Sequence, residues 1–305
     1  VSPDMRLTIQ LCTYKRAHLL GRVLDACFEQ TAPSDAYEVV LVNDGSPDDT
    51  RAVIERARAR ATCAFTVIDQ ANSGLAKGRN AGIRQSRGER IIFTDDDVLP
   101  TPTLVAEHMR SDDVHGDVIV RGAVINTENF DVLPPPIWTP ANYSGNYFWT
   151  SNVSVRRSRL DLVGTFFDES FTEYGWEDIE LGMRLRAIGT KGVFNKHALA
   201  FHFKPRPVGT SVAGMVRQAR AQARTAVQLA DRHPHWRVHL AIGDTAPQRT
   251  LFRLLHNVGL AERLLSLVGN DATADRRLSL PQLVAAQAIA ADAYYDELER
   301  TKRPR

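Results

Sequence analysis

Cysteine is scarce in this chain: Cys12, Cys27 and Cys63 are few, odd in number and not spaced as metal ligands. That argues against a disulfide-stapled secreted scaffold and a cysteine zinc site, and the three read as reduced thiols of a cytoplasmic protein. Long apolar runs are also missing. None reaches the length of a membrane span, and the first residues are polar rather than signal-like. A large excess of one charge is lacking too, since the formal net charge is only +2. There is no internal repeat, and the one low-complexity stretch is Pro134-Pro135-Pro136.

What is present is an ordinary globular composition, 43% hydrophobic and 24% charged, in 305 residues, enough for one large domain or two smaller ones. The charge is unevenly placed. Residues 203–305 carry 16 Lys and Arg against 9 Asp and Glu, and the preceding 202 residues carry 22 against 27. An acidic first part joined to a basic tail suggests that the tail meets phosphates, an anionic membrane surface or another chain, unless it is simply a solvated basic face.

The first part alternates strand and helix. Strands are expected at Leu7–Thr13, Tyr37–Val42, Phe65–Ile68 and Ile91–Phe93, with helices over 16–30, 53–60 and 74–86 between them. Four such alternations with short links predict a mostly parallel sheet covered on both sides. The last of these strands is the most telling. Ile91-Ile92-Phe93 reads as a strand buried on both faces, and it runs into Asp95-Asp96-Asp97. Such a strand cannot hold adjacent unpaired anions, so the acidic run must lie beyond its C-terminal end, where open α/β sheets bind ligands. Three carboxylates within about 7–10 Å of extended chain repel one another, and Mg²⁺ or Mn²⁺ is the simplest counter-charge, the alternative being an acidic turn that caps the next helix.

Polar features recur after each strand: Thr13-Tyr14-Lys15-Arg16, then Asp44, then Asn72 through Asn80, then the acidic run. In a parallel sheet these ends share one edge. Thr13 and Tyr14 are candidates to contact a base, Asp44 to accept from a base or ribose, and Lys77 and Arg79 to meet a diphosphate. Taken singly, Asp44 also reads as a helix cap and the two cations as a solvated helix face.

Farther on, strands are expected at Val118–Gly122 and Tyr147–Val155, either side of a proline-bearing loop with Trp138 and Tyr143. Trp149 and Trp176 are candidates for an acceptor platform as well as for packing. Glu177-Asp178 opens a helix, where the dipole favours anions. Beyond capping, such a carboxylate can serve as the general base that removes a proton from an attacking hydroxyl. His202 sits in the apolar run Leu199–Phe203, where a histidine is ordinarily a core residue. His233 and His235 flank a proline and read as loop residues. The last hundred residues are expected to be helical: a weakly amphipathic segment over 212–229, a stripe from Leu251 to Val268, and a helix from Pro281 to about Arg300.

Thr13–Arg16, Val42-Asn43-Asp44-Gly45-Ser46, Asn72–Asn80, Thr94–Asp97, Gly164–Glu169 and Gly175–Leu181 stand in one order, and in that order the chain resembles the family 2 glycosyltransferases over about residues 6–205. The resemblance implies a GT-A fold for residues 1–208, divided into a nucleotide-binding half (1–110) and an acceptor half (111–208), with 209–305 as a helical extension. It implies an inverting transfer of a sugar from a nucleotide diphosphate, UDP being the family's commonest, to a saccharide, lipid-linked or other hydroxyl acceptor in polysaccharide or glycoconjugate synthesis. Donor binding would fall to Thr13, Tyr14, Arg16, Asp44, Gly74, Lys77, Arg79, Asp95 and Asp96. Asp178 would be the base with Glu177 in support, Asp97 and His202 would hold Mn²⁺ or Mg²⁺, and Trp149, Asn152 and Trp176 would meet the acceptor. Lys204 and Arg206, at the start of the loop to Gly209, would close over the diphosphate.

No nucleic-acid partner is expected. The tail helices are left to pack, to pair two copies, or to lie on a membrane, so the protein is placed in the cytoplasm or at the inner face of a membrane. A nucleotidyltransferase making the sugar nucleotide would also use strand-end carboxylates, but its usual glycine- and arginine-rich loop is not Thr13–Arg16. A non-catalytic nucleotide-sugar binding protein is the remaining alternative.

Overall fold

A computed structural model describes residues 5–142, 145–208, 211–269 and 275–302. Tyr143 and Gly209 lie outside them. The described chain divides into two compact units, Val1–Thr172 with Glu177–Pro205, and Glu173–Trp176 with Arg206–Arg305.

The first unit is built on one eight-stranded sheet. Its first half contains β1 (Leu7–Thr13), β2 (Tyr37–Asn43), β3 (Ala64–Asp69) and β4 (Arg90–Phe93), all parallel, in the order β3-β2-β1-β4. The links are α1 (Ala17–Phe28), α2 (Thr50–Arg58) and α3 (Leu75–Gln85). The alternation of apolar residues explains the two covering layers. Ile92 joins the core formed with α1 and α2, while Ile91 and Phe93 point to the opposite face and pack with Ala76 and Ile83 of α3. All three are fully buried, as a two-sided strand requires.

The second half of the sheet adds β5 (Val98–Pro100), β6 (Ile119–Thr127), β7 (Val153–Arg156) and β8 (Gly192–Phe203) in the order β4-β7-β6-β8-β5. It introduces the antiparallel pairs β4·β7, β6·β7 and β5·β8 beside the parallel β6·β8 pair, and the sheet as a whole stays mostly parallel. The strand expected over 147–155 is only β7. Its first part is a turn closed by the Asn152 amide on the Trp149 carbonyl at 3.2 Å. Elements not anticipated include β5, the helix α4 (Leu104–His115) and the short helix α5 (Arg157–Leu162). The helix α6 (Glu177–Ala187) follows the expected acidic start, and its Leu181 and Leu185 join the core beneath Phe93.

The second unit consists of α7 (Ser211–Arg232), α8 (Trp236–Ala241), α9 (Ala246–Asn257), α10 (Leu260–Val268) and α11 (Leu280–Lys302). The stripe over 251–268 is two helices rather than one. Gly259 takes a left-handed φ of +64° between them, a conformation cheap only without a side chain. Among the described residues no helix is long and apolar enough to cross a membrane, and the three cysteines are free thiols.

Candidate active site

The parallel strands deliver their C-terminal ends to one edge, and the polar residues after them meet there. Asp44 follows β2 and is buried. Its Oδ1 accepts from Gln70 Nε2 at 2.7 Å, the Ser73 amide at 3.0 Å and Ser73 Oγ at 3.2 Å, and its Oδ2 accepts from the Gly74 amide at 3.0 Å. The carboxylate thus ties the end of β2 to the loop that enters α3. Gly45 beside it has φ +72°, and a Cβ there would stand 2.7 Å from the Asn72 amide nitrogen, so the loop closes only over glycine. Thr13 is buried at the end of β1, whereas Tyr14 is exposed with the Lys15 ammonium 4.9 Å from its ring centre. Lys77 is exposed on α3.

Arg79 is a candidate for a diphosphate or for a solvated helix face, and the second is excluded because it is only 4% exposed. Its Nη1 donates to Glu177 Oε1 at 2.7 Å, and its Nη2 donates to Thr150 Oγ1 at 2.6 Å and to Asp95 Oδ1 at 3.1 Å. Its guanidinium also lies over the Phe167 ring, 5.2 Å from the centre. One planar side chain therefore joins α3, the acidic run after β4, the turn before β7 and the first turn of α6. Burial pulls the guanidinium down, but the carboxylates of Glu177, Asp95 and Asp178 outweigh it and hold the group above its ordinary value.

Thr150 and Ser151 complete the junction. Ser151 Oγ donates to Asp95 Oδ2 at 2.9 Å, and the Thr150 amide reaches Asp178 Oδ2 at 3.4 Å. Consecutive residues of one turn thus hold a carboxylate of the acidic run and the carboxylate that opens α6. Asp178 Oδ1 also accepts from the Ile179 amide at 2.7 Å. Burial, reinforced by the neighbouring Glu177, pushes Asp178 up from 3.8 to about 7, against the pull of Arg79 and the two amides.

Asp96 and Asp97 stand on the other side of Asp95. Burial raises Asp96 to about 7, with the Thr13 hydroxyl opposing and Asp97 adding to the rise. Asp97 is raised by burial and by Asp95, and lowered by His202 and Arg16. Its Oδ1 is 3.7 Å from His202 Nε2 and its Oδ2 is 3.4 Å from Arg16 Nη2. The antiparallel pairing of β5 with β8 produces this approach, because Val98 sits opposite His202 and the Phe203 amide donates to the Asp97 carbonyl at 2.8 Å. Trp149 is partly exposed, its ring edge-on to His202 at 6.4 Å between centres.

One acceptor candidate is placed otherwise. Asn152 is buried, its Nδ2 donating to the carbonyls of Ala123 and Ala198 at 2.9 Å each, and its Oδ1 is 3.0 Å from His108 Nε2. It is a core residue with no polar group left over. Trp176 belongs to the second unit, where its indole donates to the Gln222 carbonyl at 3.0 Å. The sequence reading also missed partners that set the site: Gln70 and Ser73 on Asp44, Thr150 and Ser151 on the carboxylates, and Asn80, which bonds both the amide and the carbonyl of Phe167. The run Thr150-Ser151-Asn152 inside an apolar stretch is the signal that could have exposed the turn.

The sequence matches the family profile of glycosyl transferase family 2 over residues 8–164, from β1 through the end of α5. The chain belongs to this family. Validoxylamine A glucosyltransferase of Streptomyces hygroscopicus subsp. jinggangensis is 29% identical over 220 residues, covering 60% of this chain and 52% of that protein. The chain spans about half the length of the curated relatives it matches. Among solved structures, residues 1–349 of S. aureus TarS superpose with a TM-score of 0.59 at 20% identity, over 97% of this chain and 90% of that one. The Pyrobaculum calidifontis mannosyltransferase PcManGT, solved with GDP-Man and Mn2+, gives 0.58 at 20% identity, over 95% and 87%. These likenesses establish the GT-A fold of the family 2 chain.

Proposed function

We propose that this family 2 chain is an inverting, divalent-metal-dependent glycosyltransferase. It moves a sugar from a nucleotide diphosphate donor, a UDP-sugar in the first instance, to an acceptor hydroxyl. One observation carries the reading: Arg79, Thr150 and Ser151 bind the acidic run and the opening of α6 into one buried network. A donor end and a base are thereby held in a single site. The acceptor O–H gives its proton to Asp178, the acceptor oxygen bonds the anomeric carbon from the face opposite the leaving group, and the bond to the diphosphate oxygen breaks. A carboxyl near pH 7 in affinity is well matched to that proton. Glu177, paired to Arg79, fixes the first turn of α6 from which Asp178 acts.

Asp97 and His202 suit a divalent cation. They bring a hard oxygen and an imidazole nitrogen, His202 Nε2, within 3.7 Å, and the carboxylate of Asp95 precedes them in the same acidic run. Among the described residues no third His, Cys, Asp or Glu completes a set, so the remaining ligands would come from the diphosphate. The cation would offset the charge that builds on the departing diphosphate. Asp44, Thr13 and Tyr14 would face the nucleoside, as the UDP and GDP-Man complexes of the solved relatives encourage us to test. Thermal shift decides the matter. UDP or another nucleoside diphosphate with Mn²⁺ should raise the melting temperature beyond either alone, by the equivalent of about 2.7 kcal/mol at a hundredfold excess over Kd. The His202→Ala variant should lose the Mn²⁺-dependent part. No synergy between any nucleotide and Mn²⁺ in the wild type would remove the proposal.

A further inference from the structure

We infer that Trp176 is a positioning residue for the transfer: a left-handed turn at this residue, held by α7, sets the start of α6 and with it the place of Asp178. The inference rests on the reading of Asp178 as the base. The chain leaves the first unit after Thr172, runs through the second as Glu173–Trp176, and re-enters the first at Glu177. Asp178 is therefore the second residue after a four-residue strap.

The strap ends on an uncommon backbone conformation. Trp176 has φ +71°, and among the described residues Lys15 is the one other non-glycine in that region. A bulky side chain there is an outlier, and the residue before a helix is ordinarily extended. Such a conformation persists only where its surroundings over-determine it. One turn of α7 supplies them. The Trp176 indole donates to the Gln222 carbonyl at 3.0 Å, and Thr225 Oγ1 is 3.2 Å from the Tyr174 carbonyl. Arg224 Nε donates to Glu173 Oε2 at 2.9 Å, and its Nη1 donates to Glu297 Oε1 on α11 at 2.9 Å. Gly175, at φ +109°, lies so close that a Cβ there would stand 3.1 Å from Gln222 Cγ. Arg224 and Glu173 are 40% and 43% exposed, and such a pair contributes little by itself. The indole bond and the close seat of Gly175 carry the grip.

Trp176 directly precedes Glu177, the first residue of α6, so its dihedrals fix the direction in which the helix sets out. Asp178 lies one residue farther on, too near the start for the helix to absorb a change. A reacting group misplaced by about 1 Å costs on the order of 10² in rate. The second unit thus acts on the chemistry through the continuity of the strap.

Two variants of the full chain separate conformation from packing. Trp176→Phe keeps a ring but loses the indole donor and leaves the backbone strained. Trp176→Gly loses the ring yet adopts the left-handed φ freely. If the turn matters, Phe is the worse substitution; if the ring matters, as packing or as an acceptor platform, Gly is. Hydrogen exchange of the 177–187 amides should be at least tenfold faster in the Phe variant than in the Gly variant. The kcat for UDP release from UDP-glucose with Mn²⁺ should be at least tenfold lower in the Phe variant, with the KM for UDP-glucose unchanged in both. Equal values or the reverse order in the exchange overturns the inference, as does a Gly variant that turns over more slowly than the Phe one. The exchange measurement needs no turnover, so it fails separately from the base. An Asp178→Asn variant with wild-type turnover removes the base and leaves the exchange order standing.

Discussion

Replacing Asp178 by Asn should remove transfer and at the same time make the protein more stable at neutral pH. Asn keeps the size of the side chain and an acceptor for the Ile179 amide, now 2.7 Å from Oδ1. It cannot take a proton, and loss of a general base costs about 10²–10⁴ in rate. The stability effect follows from linkage. The carboxyl binds its proton at about 7 in the folded chain and near 3.8 when unfolded, because burial and Glu177 disfavour the anion. Between those two values the folded state holds more protons, so wild-type stability falls as pH rises from 4 to 7 and then levels off. Each tenfold change in proton affinity is worth about 1.4 kcal/mol, which sets a ceiling of about 4 kcal/mol. Asp178 is only partly buried, and Asn places an amide group where the Thr150 amide is now bonded, which reduces the ceiling to about 2 kcal/mol. In a unit of this size that is a rise of about 4–8 °C. Melting curves of both proteins at pH 4.5 and pH 8 measure it: the advantage of the Asn variant should be small at the lower pH and open at the higher. Donor affinity, read by titration, should be unchanged. A gap that stays flat with pH refutes the electrostatic reasoning, and turnover within tenfold of the wild type refutes Asp178 as the base.

The other expectations concern the residues that hold the site. Arg79→Met should lower stability by about 3–5 kcal/mol in urea titrations, because it leaves Glu177 buried without its counter-charge. A loss below 1 kcal/mol would mean that Arg79 is not the hub. Asp44→Asn weakens charge-assisted bonds from the loop before α3, and should cost about 2 kcal/mol of stability while weakening nucleotide binding in the same titration. Melting and nucleotide affinity both unchanged would show that the loop stands without the carboxylate.

The parts of the fold that could be read from the sequence are those specified by contiguous residues. Four apolar runs ending in polar residues are enough to place β1 to β4 and to put their C-terminal ends on one edge, because strand burial on two faces leaves few other arrangements. Asp97 and His202 could be placed together only by the resemblance, since 105 positions separate them and the antiparallel β5·β8 pairing that joins them is three residues long. The Tyr147–Val155 run misled because its aromatic residues satisfy β-propensity, while the turn at Thr150 and Ser151 is dictated by bonds to Arg79, Asp95 and Asp178 elsewhere in the chain. Asn152, an acceptor candidate only through the resemblance, is instead consumed by carbonyls of β6 and β8. α4 was hidden by weak amphipathicity, with His108, Ser111 and Asp112 facing inward to polar partners rather than to an apolar core.

The choice of arginine at position 79 explains how two halves of a site drawn from distant segments stay in register. Three acceptors from three elements surround the position: a carboxylate on α6, a hydroxyl on the turn before β7 and a carboxylate after β4. A lysine ammonium carries three donors on a flexible stem and gives up its charge when buried. A guanidinium stays charged and presents its donors in a fixed plane, so satisfying one acceptor fixes the angle at which the others must approach. The same plane lies over Phe167, whose amide and carbonyl are held by Asn80 one position along α3. Arg79 and Asn80 therefore lock the Phe167 segment and the head of α6 to one helix. Any movement of α3 on donor binding would carry both Glu177 and Asp95 with it. In the proposed mechanism the segment Asn72–Asn80 would serve the donor through its exposed Lys77 and hold the head of α6, where the base would act, through its buried Arg79.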